Sequence, residues 1–382
     1  MESNYKPIGE YIHLIDNRNT DLSVNKLVGL TVEKKFIPSV ANIIGTDLSK
    51  YKVIGNHQFA CSLMQVSRDK KMPVAMYKGN AAIMSPAYPM FEVNEENELM
   101  PEYLHLYLSR SEFDREAVFY AIGGVRGSLD WEDFCNIKIP IPPISEQRRI
   151  VNEYQTMERR IANNEALIQK LEETAQAIYH HTFVEGIDEE NLPKGWKKGI
   201  VKDFGKVVTG TTPSCEHPEY FGDEYMFVTP ADYYNYEKYL LRTERGISYE
   251  GDLKMLKRRI PKESLLVTCI GSNMGRVCIN KSDCYTNQQI NSVILNFPFY
   301  KDYLYYYIKS QKEALQGYAV GSSAVPLLNK SQFETIEVMI PSEELLKKFS
   351  KEIYPINQQI KILSKEKILL EKLLTLLTSK LA

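Results

Sequence analysis

The stretch from Ile144 to Phe183 constrains the fold of this chain more than any other feature. It contains no proline or glycine, and its core positions recur every seven residues in two interleaved seams. The seams are Ile150, Met157, Asn164, Leu171 and Ile178, and Tyr154, Ile161, Ile168, Ala175 and Thr182. This pattern predicts a long helix that packs against one partner helix. At ~1.5 Å per residue the helix would be about 60 Å long, which is typical of a spacer.

A second heptad run extends to the C-terminus and supplies the partner. Its seams are Phe349, Ile356, Leu363, Leu370 and Leu377, and Leu346, Ile353, Ile360, Lys367, Leu374 and Leu381. Pro355 lies inside this run, and we expect it to kink the helix because its ring clashes with a preceding carbonyl. Two separate helices would leave both apolar seams exposed, so the two runs predict an antiparallel pair.

The chain also repeats itself. The segment "FCNIKIPIPPISEQRRI" from Phe134 aligns with "FETIEVMIPSEELLKKF" from Phe333 at an offset of 199, and "PEYLHLYL" from Pro101 aligns with "KDYLYYYI" from Lys301. Mixed strand and helix patterns precede each heptad run. We therefore predict an α+β protein in which two α/β domains are separated by two long helices that form an antiparallel coiled coil, with a pseudo-twofold internal repeat. The predicted boundaries are 1–143, 144–184, 185–341 and 342–382.

Composition limits the classes that the protein can belong to. The net charge is −2, which gives no overall basic field for nucleic acid but can still hide a basic stripe. Six cysteines without a CxxC pair indicate buried thiols in a reducing compartment. The N-terminus has no signal-peptide pattern and no apolar run is long enough to span a membrane, so we expect a cytoplasmic protein.

A search for catalytic motifs favours a binding protein over an enzyme. "SPAY" from Ser85 lacks the amide or carboxylate of a methyltransferase motif, and "GSNMGRV" from Gly271 has Arg276 where a Walker A lysine would stand. The histidines are scattered and none falls at zinc spacing. We therefore expect no catalytic residue and no metal site.

Polar loops are the candidate binding residues, because Asn and Gln pair with adenine, Arg with guanine, and Ser and Thr with phosphate. In the second repeat the candidates are Thr209, Thr211, Thr212, Lys257, Arg258, Arg259, Asn273, Arg276, Asn287, Gln288, Gln289, Ser322 and Ser323. In the first repeat they are Arg68, Lys70, Lys71, Lys78, Arg126 and Ser128. Each could instead be a solvated turn or a local cap. Their recurrence at matching places in both repeats favours binding.

The ordered set of segments resembles the specificity subunit of type I restriction–modification enzymes. "IPIPPISEQRRIV" leading into the heptad helix is similar to the start of that family's central conserved region. "LPKGW", "TGTTP", "FVTPADY", "TNQQI" and "IEVMIP" resemble a target-recognition domain and its exit, and "GGVRGSLDWEDF" resembles the exit of the first domain. The likeness covers essentially the whole chain. The second exit, "PSEELLKKF", matches less well.

The resemblance implies a non-catalytic subunit that defends the cell against foreign DNA. Each domain would read one half of a split double-stranded DNA target, and the helices would set the unread gap. Two modification subunits using S-adenosylmethionine would methylate flipped adenines, and restriction subunits using ATP and Mg²⁺ would join them. This chain itself would hold no cofactor. Two alternatives stay open: the specificity subunit of a type II-like fused nuclease–methyltransferase, and a coiled-coil scaffold that binds no DNA.

Two polar residues interrupt the seams. Asn164 and Lys367 each occupy a core heptad position near the middle of a run. Antiparallel pairing about the centres would bring the two close together, where buried polar groups can fix helix register. The alternative is that both side chains reach solvent.

Overall fold

The structure is a computed structural model that describes residues 5–41, 45–64, 66–121, 127–233, 238–271, 273–318 and 327–381. The chain divides into two compact units. Unit 1 comprises Met1–Ala162 with Leu369–Ala382, and unit 2 comprises Asn163–Ile368. Each unit therefore contains one α/β globule and a part of each long helix.

The described residues of unit 1 form ten short strands and four helices before the first long helix. The strands are β1 (Tyr5–Pro7), β2 (Ile12–Ile15), β3 (Val28–Leu30), β4 (Phe36–Pro38), β5 (Lys52–Ile54), β6 (Phe59–Cys61), β7 (Val74–Met76), β8 (Ala82–Met84), β9 (Met90–Val93) and β10 (Lys138–Pro140). The helices are α1 (Val66–Asp69), α2 (Pro101–Leu108), α3 (Ser111–Ala121) and α4 (Trp131–Asn136), followed by the long helix α5 (Ile144–Phe183).

Unit 2 repeats this plan with longer strands. The strands are β11 (Lys197–Ile200), β12 (Gly205–Thr209), β13 (Phe221–Val228), β14 (Tyr239–Leu240), β15 (Arg245–Ile247), β16 (Leu265–Thr268), β17 (Val277–Asn280), β18 (Cys284–Thr286), β19 (Ile290–Leu295) and β20 (Glu337–Ile340). The helices are α6 (Val201–Phe204), α7 (Tyr249–Met255), α8 (Tyr300–Ser310), α9 (Lys312–Tyr318), α10 (Lys330–Glu334), α11 (Glu343–Glu352) and α12 (Tyr354–Ser379).

The main sheets of the two units have the same order. Unit 1 has β2-β9-β6-β7, and unit 2 has β12-β19-β16-β17 with β14 added at the edge. All pairings within the shared four strands are antiparallel. In both units the first and last strands, β1 with β10 and β11 with β20, form a separate two-stranded sheet just before a long helix. The structure thus confirms the predicted internal repeat and the α+β fold.

Local sequence explains where the elements begin. Pro101 starts α2, where its missing N–H is not needed. Asn329 caps α10 in a capping box with Gln332, and the hydroxyl of Ser342 accepts from the Leu345 N–H to start α11. The two helices that follow the repeats, α5 and α11, begin at equivalent places, Ile144 and Glu343.

The two long helices contact each other and run antiparallel. In unit 2, Ile168 and Ala175 of α5 share a core with Ile360 and Leu363 of α12. In unit 1, Ile150 of the early part of α5 shares a core with residues that include Leu381, beyond the end of α12. Rising numbers on one helix meet falling numbers on the other, as the heptad seams predict.

The C-terminal run is two helices, where the sequence predicted one kinked helix. α11 ends at Glu352, Ile353 is its C-cap, and α12 starts at Tyr354. Pro355 consequently lies in the first turn of α12, where its ring meets no carbonyl of a continuous helix and its missing N–H costs no bond. In the described ranges, no helix combines the length and the apolar character needed to cross a membrane.

Candidate nucleic-acid interface

The candidates of unit 2 gather where β12 ends and β19 begins. Antiparallel pairing sets Thr209 opposite Asn291, and their side chains hydrogen bond, with the Thr209 hydroxyl 2.6 Å from the Asn291 amide oxygen. In the next loop the Thr212 hydroxyl donates to Oε1 of Gln288 at 2.8 Å. We call this set the polar loop cluster; its members are Thr209, Thr211, Thr212, Asn287, Gln288 and Gln289. Strand register therefore brings together two loops that are far apart in sequence.

Gly210 makes this approach possible. A Cβ at Gly210 would lie 2.1 Å from the carbonyl oxygen of Thr286 and 2.2 Å from that of Asn287. The Thr211 N–H donates to the Thr286 carbonyl at 2.8 Å. The two loop backbones thus pass so closely that only glycine fits between them.

The amide side chains of the polar loop cluster are held in place by one another. The Asn287 amide nitrogen donates to Oε1 of Gln289 at 3.0 Å, and the Gln289 N–H donates to Oδ1 of Asn287 at 3.1 Å. Gln288 is exposed, whereas Asn287 and Gln289 are half-buried. Such preordered amides, with one face open to solvent, have the donors and acceptors that read base edges.

The three basic residues before β16 have different surroundings. The Arg258 guanidinium donates to the carbonyl of Thr209 at 2.9 Å and so joins the polar loop cluster. Lys257 is exposed. Arg259 instead pairs with the buried carboxylate of Asp252 and stacks on Tyr225, with its guanidinium 4.8 Å from the ring centroid. Only Arg258 of the three contacts the cluster.

Asn273 and Arg276 lie in the turn between β16 and β17. The Arg276 N–H donates to the Asn273 carbonyl at 3.2 Å. This turn adjoins the polar loop cluster because the Cys269 N–H donates to the Gln289 carbonyl at 2.8 Å. The Arg276 side chain also lines a cavity of about 730 Å³ within unit 2.

In unit 1 the equivalent turn carries Arg68, Lys70 and Lys71. The Arg68 side chain is exposed and ion-paired with Asp69 at 2.6 Å, and Lys70 has a left-handed backbone with φ of +55°. The segment containing Ser128 is attached beside this turn, since the Leu129 N–H donates to the Leu63 carbonyl at 2.9 Å.

That bond has a counterpart in unit 2, between the Leu328 N–H and the Cys269 carbonyl at 2.9 Å. The two sets of turn candidates therefore occupy equivalent places. Lys78 lies apart, just after β7. Arg126, Ser322 and Ser323 lie outside the described residues.

The two polar seam residues meet at one level of the helix pair. Asn164 and Lys367 are both buried. The Asn164 amide nitrogen donates to Oε2 of Glu366 at 3.1 Å, and the Lys367 ammonium lies 2.9 Å from Oε1 of Glu165. Each polar residue thus bonds the neighbour of the other across the seam, and neither side chain reaches solvent.

Two observations on the described residues concern thiol reactivity and metal binding. Burial raises the pKa of the Cys269 and Cys278 thiols to about 12, so both stay protonated and unreactive. Across the described ranges, no cluster of three or more His, Cys, Asp or Glu side chains could hold a metal ion.

A group of lysines at the far end of the unit 2 sheet was not predicted. Lys281 and Lys301 both pair with Glu263, and Lys361 and Lys365 of α12 lie beside them. We call this group the lysine edge. The repeat carried a signal for it: Lys281 follows β17 as the predicted Lys78 follows β7.

Two repeated α/β globules, each followed by a long helix run, define a two-module protein whose second module carries the polar loop cluster. Comparison with known proteins names the family. The family described as "Type I restriction modification DNA specificity domain" matches residues 67–173 and 193–377, which is most of the chain. The chain belongs to this family of type I restriction–modification specificity subunits.

Individual relatives agree. The chain is 32% identical over 192 residues to the HindI specificity subunit of Haemophilus influenzae, covering 49% of this chain and 41% of the relative. It is 32% identical over 189 residues to the MjaIX specificity subunit of Methanocaldococcus jannaschii, covering 49% and 43%. The chain thus matches less than half the length of either relative. The crystal structure of the type I S subunit from M. genitalium has the same fold, with a TM-score of 0.58 at 14% identity over 99% of this chain and 95% of that one.

Proposed function

We propose that this chain is the non-catalytic DNA-reading subunit of a type I restriction–modification enzyme. Each unit reads one half of a split double-stranded target, and the helix pair fixes the unread gap. The observation that carries this proposal is the duplicated arrangement: the same sheet order occurs twice, and each copy leads into one helix run of a single antiparallel pair. Two readers on one connector match a target with two separated halves.

The polar loop cluster supports the reading role in unit 2. It combines exposed amide and hydroxyl groups with the guanidinium of Arg258, and its backbone is fixed by the close approach at Gly210. Amides and guanidinium groups discriminate bases in the major groove, and hydroxyls contact phosphates. In unit 1 the turn with Arg68 and Lys70 corresponds to the turn with Asn273 and Arg276, which adjoins the cluster in unit 2.

An exposed apolar stripe on α12 supports recruitment of partner subunits. Leu369, Leu373 and Leu376, all in unit 1, are each about half exposed or more, at 60, 48 and 57%. They recur at four- and three-residue spacing on one face of the helix, which is the pattern of a seam for a further helix. We infer that modification subunits bind there, and that they supply S-adenosylmethionine chemistry while restriction subunits supply the ATP- and Mg²⁺-dependent steps.

Methylation mapping tests the proposal. Adenine methylation is mapped across the host genome with and without this gene, and one split motif with a constant gap should disappear. Loss of a continuous motif would contradict the split reading. If no motif is lost and no sequence-specific DNA binding occurs with partners present, the chain is a scaffold. Linkage to one fused nuclease–methyltransferase partner would point to the type II-like alternative.

A matched insertion tests the connector. One heptad is inserted after Glu165 in α5, and a second heptad after Glu366 in α12, so that both seams stay in register. Seven residues add ~10 Å, which corresponds to about three base pairs. We expect the gap to grow by about that amount while both half-sites stay the same. The α5 insertion alone is the control, because it displaces the seam and should abolish methylation.

A further inference from the structure

The lysine edge is built on a strained residue. Glu263 has φ of +65°, a left-handed conformation that residues other than glycine rarely adopt. Its carboxylate pairs with both Lys281 and Lys301. Lys281 and Lys361 also share the ring of Tyr239, with ammonium nitrogens 5.2 and 5.0 Å from the centroid. Four elements therefore converge on one small surface.

The charges on this surface do not balance. The lysine edge has four ammonium groups, and the carboxylate that pairs with it is that of Glu263. Asp302 of α8 is turned inward, where it pairs with Lys238. Burial, and then the neighbouring charges of Lys361, Lys301 and Lys365, lower the pKa of Lys281 to about 7. An added anion would relieve this repulsion.

The lysine edge is separate from the polar loop cluster. β16 runs from the lysine edge at Leu265 to Thr268, next to the turn that adjoins the cluster. Glu263 and Thr268 are five residues apart on an extended chain, which corresponds to ~16 Å. The two surfaces therefore lie at opposite ends of the same sheet and can bind different partners.

The equivalent place in unit 1 holds one exposed lysine, Lys78, and its other charged groups are mainly acidic. His57 also has φ of +65°, and its N–H donates to the Tyr77 carbonyl at 3.0 Å as the Glu263 N–H donates to the Asn280 carbonyl at 2.9 Å. The backbone is thus the same in both repeats. The side chains around His57 are acidic, with Glu96 at 3.6 Å and Glu102 at 3.5 Å from the imidazole. Further exposed carboxylates follow in the same loop, at Glu95 and Glu98.

We propose that the lysine edge is a docking site for an acidic segment of the modification subunit, present in unit 2 and absent from the equivalent place in unit 1. The inference rests on the proposed function, since it assumes that modification subunits bind this chain. It follows that two identical modification subunits bind unequally, the copy at unit 2 being held more tightly and with a stronger salt dependence.

The surroundings favour a protein over the DNA backbone. Ile362 of α12 is 57% exposed and lies between Lys361 and Lys365 in the sequence. The side chains of Lys281 and Lys301 are only 19 and 17% exposed, so the site is already largely shielded from water. An exposed apolar residue next to partly buried charges is typical of a protein interface, whereas phosphate contacts do not need it.

The test reverses the two charges contributed by α12. In Lys361→Glu/Lys365→Glu, binding of the purified modification subunit is measured by sedimentation velocity at 50 and 300 mM salt. We expect the tighter Kd to rise about tenfold at 50 mM salt and much less at 300 mM, because salt screens charge pairs at an interface rim. Lys348→Glu, at an exposed lysine of α11 outside the apolar stripe and the lysine edge, is the matched control and should leave both constants unchanged.

A second variant tests the asymmetry from the other side. Glu96→Lys/Glu98→Lys makes the equivalent edge of unit 1 basic, and it should bring the weaker Kd closer to the tighter one. Unfolding curves for both variants show whether the fold is intact; Lys361→Glu/Lys365→Glu should be at least as stable as the wild type, because it removes the repulsion among the lysines.

Each remaining outcome contradicts the inference in a distinguishable way. If subunit binding is unchanged while the salt slope of duplex DNA binding falls by about two, the lysines contact phosphates. If neither binding constant moves, the edge is a solvated surface. In both cases a normal split methylation motif would leave the proposed function standing. A wild-type chain that binds no modification subunit would overturn the proposed function and this inference together.

Discussion

The buried ion pair between Lys238 and Asp302 allows a quantitative prediction about what holds α12 in unit 2. Lys238 is completely buried and Asp302 nearly so, with Nζ 2.9 Å from Oδ1. The ammonium also donates to Asn357 Oδ1 at 2.7 Å and to the Tyr306 hydroxyl at 3.2 Å. The Asn357 amide nitrogen in turn donates to Asp302 at 3.0 Å. Three elements that are distant in sequence thus meet at one charge pair.

Lys238→Met removes the cation and leaves the carboxylate of Asp302 buried without its counter-charge. Breaking a buried pair in this way costs ~3–5 kcal/mol. We expect the free energy of unfolding of unit 2 to fall by about 4 kcal/mol, which lowers Tm by about 8–16 °C for a unit of this size. Adding Asp302→Asn should recover about half of the loss, because the remaining amide can still accept from Asn357 without a charge.

The two tryptophans allow each unit to be followed separately. Trp196 packs against the unit 2 core and Trp131 against the unit 1 core. Urea unfolding is therefore measured by fluorescence in Trp131→Phe and Trp196→Phe backgrounds. Lys238→Met should shift the Trp196 transition and leave the Trp131 transition in place. A loss below about 1 kcal/mol, or equal shifts of both transitions, would refute the assignment of this pair as the tie between α12 and unit 2.

The pH dependence gives an independent check. Burial alone would raise the pKa of Asp302, but the Lys238 charge, with hydrogen bonds from Lys238 and Asn357, holds that pKa below its usual value. A lowered folded-state pKa contributes stability that is present above the unfolded pKa of ~3.9 and is lost as the pH falls through the folded value. Without the cation the buried carboxyl binds its proton more readily. The difference between wild type and Lys238→Met should therefore shrink as the pH falls from 7 towards 4.

Two further predictions concern the seam and the polar loop cluster. Asn164→Leu should raise the free energy of unfolding by about 1 kcal/mol, because an apolar side chain replaces a buried amide, and it should make the gap of the methylated motif less uniform. Denaturation measures the first effect and methylation mapping the second. An unchanged gap together with unchanged stability would refute the prediction. Gly210→Ala should weaken DNA binding at the unit 2 half-site at least tenfold, because the new Cβ would meet two carbonyl oxygens at 2.1 and 2.2 Å. Gly317→Ala, with no atom within 4 Å, is the matched control and should bind DNA normally.

The helices could be predicted from the sequence because their signal is periodic and local. A seven-residue repeat fixes both the helix and its buried face, and Ile168, Ala175, Ile360 and Leu363 are buried as their seam positions require. The internal repeat could also be predicted from the sequence, since it needs only an alignment of the chain with itself. The break at Ile353 could not, because the sequence alone does not decide whether a proline bends a helix or begins a new one.

Strand pairing could not be predicted from the sequence, because it joins residues that are far apart in the chain. Thr209 and Asn291 pair across eighty-two positions, and β13 pairs in parallel with the much later β18. The sequence therefore identified the loops of the polar loop cluster as candidates, but it did not predict that they lie side by side. Adjacent residues of the same type can also have different surroundings. Arg258 contacts the polar loop cluster, whereas Arg259 pairs with the buried Asp252. Such differences depend on which side of the backbone faces the core.

His57 and Glu263 show which properties the two repeats share and which they do not. Both residues have the same left-handed backbone, and each donates its N–H to a carbonyl at or just after the end of the second strand that follows, Tyr77 after β7 and Asn280 of β17. The shared conformation is required by the sheet, since the chain must turn there to enter β6 or β16. The charge of the side chain is not required by the sheet, and it differs between the repeats together with its neighbours, being acidic around His57 and basic around Glu263. A repeat that keeps its backbone while reversing its charge can give one fold two different partners, and the charge-reversal variants at these two places would measure that difference directly.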